Sequence, residues 1–303
     1  IGTVTFMIVF YALNAVIHFS FLNLTAQEFG IAVIHTTFNI ITTAYLLPLR
    51  KVLEKLAYAT IKLDDDEKRI MDNRSGNEFA LLDDRFLEAP SLAVEHCKQV
   101  INKMADISRE SLFISMSLIG GYDEEQALRV GELETRADKY EDALGTYIMK
   151  ISTKNLKKED SEMLNVMLHC IGDFERISDY ACNLCDSARE LQQKNMQFSP
   201  KAETELDILS SAVREAVDIS FDAFKSNNKN EADKVEPLEE LIDTLAVELK
   251  ARHIRRLREG KCTIELGFAH SDILNNLERV ADHCSNIAVD VIQSDQLEFD
   301  AHE

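Results

Sequence analysis

Glu175 and Asp179 stand one helical turn apart in the stretch GDFERISDYACN (172–183), with Arg176 beside them and Asn183 one turn further on. The phrase returns 103 residues later (278 − 175) as NNLERVADHCSN (275–286), where Glu278, Arg279, Asp282 and Asn286 take the same places. A second matched pair of acids, Glu134/Asp138 and Glu239/Asp243, is offset by 105 residues (239 − 134). On a helix, side chains four apart share a face with Cβ atoms about 5–6 Å apart, and two carboxylates so placed repel slightly. A helix gains nothing from stacking them unless a cation sits between. Four hard oxygen donors in each copy suit Mg²⁺, Ca²⁺, Mn²⁺ or iron. Arg176 and Arg279, with Asn183 and Asn286, are spaced to orient such carboxylates from behind. The plainer alternative is a set of solvated acidic faces with surface ion pairs: Glu203/Asp207 repeats the spacing with no counterpart in the other copy.

These acids need helices to hold them, and the composition supplies helices. Only 10 Gly and 4 Pro occur in 303 residues, 46% of which are hydrophobic. Few breakers and many Leu, Ala, Glu and Lys favour helix over strand. Apolar residues recur at three and four, as in Ile171, Phe174, Ile177, Ala181 and Leu184. The pattern predicts six helices, near 91–119, 122–152, 158–194, 202–225, 231–257 and 262–293. Two motifs in the same order at nearly one offset mark an internal duplication. The expected fold is therefore all-α, with two tandem three-helix bundles over 81–195 and 196–303.

Other chemistries find little footing. The net charge of −20 repels nucleic acid and attracts cations. None of the eight His follows a Glu by three residues, as a ferritin-like di-iron oxidase would require. There is no phosphate-cradling glycine loop and no nucleophile elbow, so no catalysis is expected. The six Cys are irregularly spaced and read as reduced thiols; Cys182 and Cys185 fall mid-helix as small apolar residues.

The first fifty residues differ in kind. Residues 1–27 and 29–49 carry no charge, interrupted only by Glu28, and each run is long enough to span a bilayer as a helix. Arg50, Lys51, Lys55 and Lys62 follow the second run and would face the cytoplasm. The expectation is a transmembrane helical hairpin over 1–62, a charged linker over 63–80, and an inner-membrane, multi-pass protein with 63–303 cytoplasmic. His35 and Asn39, four apart on the second run, would face a transport path. The chain starts at Ile1 rather than Met and reads as the C-terminal part of something longer.

Residues 81–293 resemble the PhoU family, with two three-helix repeats that each carry Glu-x-x-x-Asp pairs on the second and third helices. The stretch IAVIHTTFNIITTAYLLPLRK (31–51) resembles the end of the membrane domain of bacterial type II Na⁺/phosphate cotransporters: His35-Thr-Thr-Phe38-Asn39, then Thr42-Thr43 and Leu47-Pro48. The PhoU resemblance implies a regulator of phosphate uptake with the eight acids as ligands to a divalent or trivalent metal. The cotransporter resemblance implies Na⁺ as coupling ion and phosphate handled upstream of Ile1, since the Gln-Ser-Ser motifs of that family are missing from this sequence. The expected function is the C-terminal part of a sodium-dependent phosphate transporter with a metal-binding regulatory domain. A membrane-anchored helical adaptor, docking a partner protein without transport or metal, is the alternative. A homodimer is compatible with either.

Overall fold

The computed structural model describes residues 78–294, which belong to one compact unit. A 3₁₀ turn, Asp84–Glu88, leads into α1 (Pro90–Leu118), α2 (Glu124–Ser152) and α3 (Lys158–Gln193). Then follow α4 (Pro200–Ser226), a single turn at Lys229–Ala232, α5 (Val235–Arg258) and α6 (Ile264–Ile292). The all-helical architecture and the tandem bundles expected from the periodicity are what the structure shows.

Local chemistry sets the helix ends. The Asp123 carboxylate accepts from the Gln126 N–H at 2.8 Å and starts α2, with Glu124 and Glu125 in the first turn. Ser199 caps α4 ahead of Pro200, and Thr263 caps α6. Each cap satisfies a donor that has no partner within its helix, and the Asp123 carboxylate also places negative charge at the positive end of the α2 dipole. Asn227 closes α4 at φ 50°, in the left-handed region that Asn tolerates.

In the first bundle α1 packs against both α2 and α3; in the second α6 packs against both α4 and α5. The bundles meet chiefly through α3 and α6. Phe174 of α3 meets Phe221 and Phe224 of α4 edge-to-face, with centroids 4.8 and 5.2 Å apart. Small buried residues stand at this seam: Cys170 of α3 lies beside Asp290 of α6, and Cys284 of α6 is acted on by Asp173 of α3. Polar clasps frame this seam. Asp173 accepts from His283 at 2.7 Å, and His169 stands 3.4 Å from Asp290. Arg109 of α1 pairs with Asp218 of α4, and the Arg214 guanidinium lies 4.5 Å over the Phe113 ring.

The inner-membrane, multi-pass placement is corrected here. No helix among the described residues is long and apolar enough to cross a membrane. Physically, every long helix buries one apolar stripe and gives its other faces to charge. The two uncharged runs, with His35 and Asn39, lie outside the described residues.

Candidate metal centre

Each bundle carries its acids on the two helices that follow its first. In α2 the apolar residues Leu133, Ala137 and Tyr140 are buried, and Glu134 and Asp138 fall beside that stripe. In α3, Phe174, Ile177 and Ala181 are buried, and Asp179 lies lateral to them. Since α2 and α3 pack side by side, these flanks face each other. One carboxylate oxygen from each of Glu134, Asp138 and Asp179 falls within 4.8 Å of the others. The second bundle does the same with Glu239 and Asp243 of α5 and Asp282 of α6, again within 4.8 Å.

Two carboxylates at that distance repel by about 1 kcal/mol in bulk water and about 3 kcal/mol at an effective dielectric of ~20. These half-exposed sites lie between the two limits. The proton affinities follow the crowding. Glu134 is pushed up by burial and then by Asp138; Asp138 is pushed up by burial and then by Asp179. Glu239 rises through burial and Asp243, and Asp243 through burial, Glu278 and Asp282.

The fourth acid of each set behaves differently. Glu175 stays beside Asp179 and is pushed up to about 7, by burial first and the Asp179 charge second. Arg176 lies 3.1 Å from Asp179 and 3.4 Å from Glu175. Glu278, by contrast, accepts from the Lys250 ammonium at 2.7 Å. Arg279 reaches Asp282 at 3.4 Å. Asn183 is exposed, and Asn286 donates to Asp173 across the repeat seam at 3.3 Å, so this asparagine serves the clasp between the bundles.

Does the donor set fit a cation? Three hard oxygens from two helices suit Mg²⁺, Mn²⁺, Ca²⁺ or iron, at metal–oxygen distances of about 2.0–2.6 Å. Sharing one ion needs the triads to contract slightly. Asp243 Oδ1 is buried and has no hydrogen-bond partner, the condition of a carboxylate oxygen short of a donor or cation. The residues fit. Lys250 is the member that motif reading misses, although it stands seven residues after Asp243, two turns along the same face.

Fold and site together define a class: duplicated three-helix bundles with a lateral carboxylate cluster on each. The PhoU domain model matches residues 101–188 and 206–291, over half of the chain, and the chain belongs to the PhoU domain family. It is 25% identical over 196 residues to the phosphate-specific transport system accessory protein PhoU homolog 1 of Thermotoga maritima, covering 64% of this chain and 84% of that protein. It is 23% identical over 192 residues to the PhoU homolog of Xylella fastidiosa, covering 63% and 80%. The crystal structure of PhoU from Pseudomonas aeruginosa shares the fold with a TM-score of 0.62 at 21% identity, over 68% of this chain and 97% of that one. PhoU from Streptococcus pneumoniae, described as a phosphate transport system regulatory protein, gives 0.62 at 16% identity, over 70% and 99%. These matches carry the bundle part of the sequence resemblance and not its cotransporter part. Relatives named as accessory proteins, rather than transporters, also weigh against the multi-pass placement.

Proposed function

We propose that this chain is a regulatory accessory protein of phosphate transport whose two carboxylate triads each bind a hard metal ion and whose bundles dock a protein partner. The observation that carries the metal reading is the convergence of acids from two helices in both repeats, within 4.8 Å each time. The family and the named relatives support the regulatory role. They favour it over a Na⁺-coupled transporter, and they are closer to the adaptor reading with a metal site added. No catalysis is assigned.

Binding of a cation would replace mutual repulsion by shared coordination and stiffen the α2–α3 and α5–α6 pairs. A ligand shifts a conformational balance only through differential affinity, and a stiffened helix pair offers a partner one surface rather than several. The test is the melting temperature of the full chain with and without millimolar Mn²⁺, in wild type and in Asp179→Asn/Asp282→Asn. A rise in wild type that the double variant loses is expected. Wild-type curves that coincide with and without Mn²⁺ would end the metal reading.

A further inference from the structure

The strip face of the second bundle has an apolar end that the first bundle matches at one of four positions only, Met149. Ile264 stands 18 residues, about five turns, before Asp282, and so shares its stripe on α6. Phe268 lies one turn further along. On α5, Val247 and Ile254 follow Asp243 by four and eleven residues, on the same side. The ends of the two helices are in contact: a Cβ on Gly267 would come within 3.3 Å of the His253 ring. Thus one lateral face carries both the acids and these four side chains.

All four are turned to solvent: Val247 65%, Ile254 50%, Ile264 62% and Phe268 67% exposed. The repeat-matched positions of the first bundle, taken at offsets of 105 and 103, are Asp142, Met149, Ser161 and Asn165. Burial does not explain the contrast, because exposed positions gain nothing from Ile or Phe in the folded monomer. Around the patch stand Arg255 and Arg258, both exposed; between residues 251 and 268 the cations Arg252, Arg255, Arg256, Arg258 and Lys261 outnumber the acids Glu259 and Glu265, and Arg255 acts electrostatically on Glu259. On a chain of net charge −20 this is a local reversal of sign.

We propose that this end of the α5–α6 face docks an amphipathic helix of a partner protein, its apolar side seated on Ile254, Ile264 and Phe268 and its acidic flank on Arg255 and Arg258. Charge complementarity selects that occupant. Acidic helices are repelled by the rest of the surface and accepted here, which gives a register as well as an attraction. Cationic partners meet the opposite bias. The inference rests on the docking part of the regulatory reading and not on the metal.

The test uses the full 303-residue chain and two synthetic helical peptides of about 20 residues, a length at which isolated helices are sustained. Both carry Leu at i, i+4 and i+7; one has Glu on its flanks and its twin has Lys. Fluorescence anisotropy should show the Glu peptide binding at least tenfold tighter than the Lys twin, against the sign of the net charge. Ile264→Ser/Phe268→Ser should lose tenfold or more for the Glu peptide, and Arg255→Glu/Arg258→Glu should invert the preference. Met149→Ser, in the first bundle, should change nothing; circular dichroism checks that each variant is folded. Equal or tighter binding of the Lys twin, or indifference to the Phe268 and Arg variants, overturns the proposal. So does sedimentation showing self-association that Phe268→Ser abolishes, because the occupant would then be a second copy. A metal-dependent melting shift alongside failed peptide binding would remove the docking site alone.

Discussion

The two carboxylate sites descend from one pattern but balance their charge differently. In the second bundle Lys250 reaches across from α5 to Glu278 at 2.7 Å, so a built-in ammonium takes the place of part of a cation. The matching position in the first bundle, at the offset of 105 that relates Glu239 to Glu134, is Gly145. No side chain leaves α2 there, and Glu175 is left with Asp179 and Asp138 as charged neighbours and only Arg176 as counter-charge. The duplicated sequence preserved the acids and not their compensation. On the proposed metal reading, the first site should depend on an external cation more than the second does.

The strongest way to break this comparison is to neutralise each triad in turn. Asp138→Asn/Asp179→Asn should raise the metal-free melting temperature by about 4 °C, on a scale of roughly 2–4 °C per kcal/mol for a chain of this size. Most of the Mn²⁺-induced shift should go with it. Asp243→Asn/Asp282→Asn should do less on both counts. Equal effects in scanning calorimetry would mean that the asymmetry has no energetic content.

Transplanting the lysine is the next test. A Cβ at Gly145 meets only Ile171 Cδ1, at 3.8 Å, an ordinary contact. Gly145→Lys should stabilise the metal-free chain by about 3 °C and weaken Mn²⁺ binding at the first site about tenfold in titration calorimetry. Gly145→Ala is the control, since removing a mid-helix glycine contributes about 0.5–1 kcal/mol by itself. Gain confined to the alanine level would sink the charge argument.

Acidity separates the sites further. Glu175 holds its proton up to about 7 in the fold, against 4.5 ordinarily. A raised acid favours the folded state while protonated, so its stabilising contribution is full below 4.5 and is lost as pH rises through about 7. Metal-free wild type should melt about 2 °C higher at pH 5.5 than at pH 8, and Glu175→Gln should flatten that slope. Metal affinity at the first site should run the other way, falling with pH as protons compete. A slope indifferent to Glu175→Gln would locate the titration elsewhere.

The smallest expected effect comes from the arginines. Arg176 and Arg279 are largely exposed, and exposed pairs contribute under about 1 kcal/mol. Arg176→Gln and Arg279→Gln should each move the melting temperature by about 1 °C or less. A large loss of metal binding in either would show that it positions a ligand.

The helices were legible because their signals are local. Periodicity, with few Gly and Pro to break it, put six helices within a few residues of where they lie. The duplication was equally visible, because the spacing of acids survives in the linear chain. Asn286 marks where such spacing stops being informative. Its place in the motif was plain, but its partner Asp173 is 113 residues away on another helix.

Taken alone, the sequence determined which side chains share a face of one helix, since 3.6 residues per turn is a property of the backbone. It thereby settled the helical class, the two repeats and the eight acids worth examining. Packing decided the rest. Which three carboxylates of each set of four meet, and that Lys250 captures Glu278 while Glu175 has no such partner on the neighbouring helix, both depend on contacts between helices. Those contacts are set by how buried stripes interlock, and no local spacing encodes that.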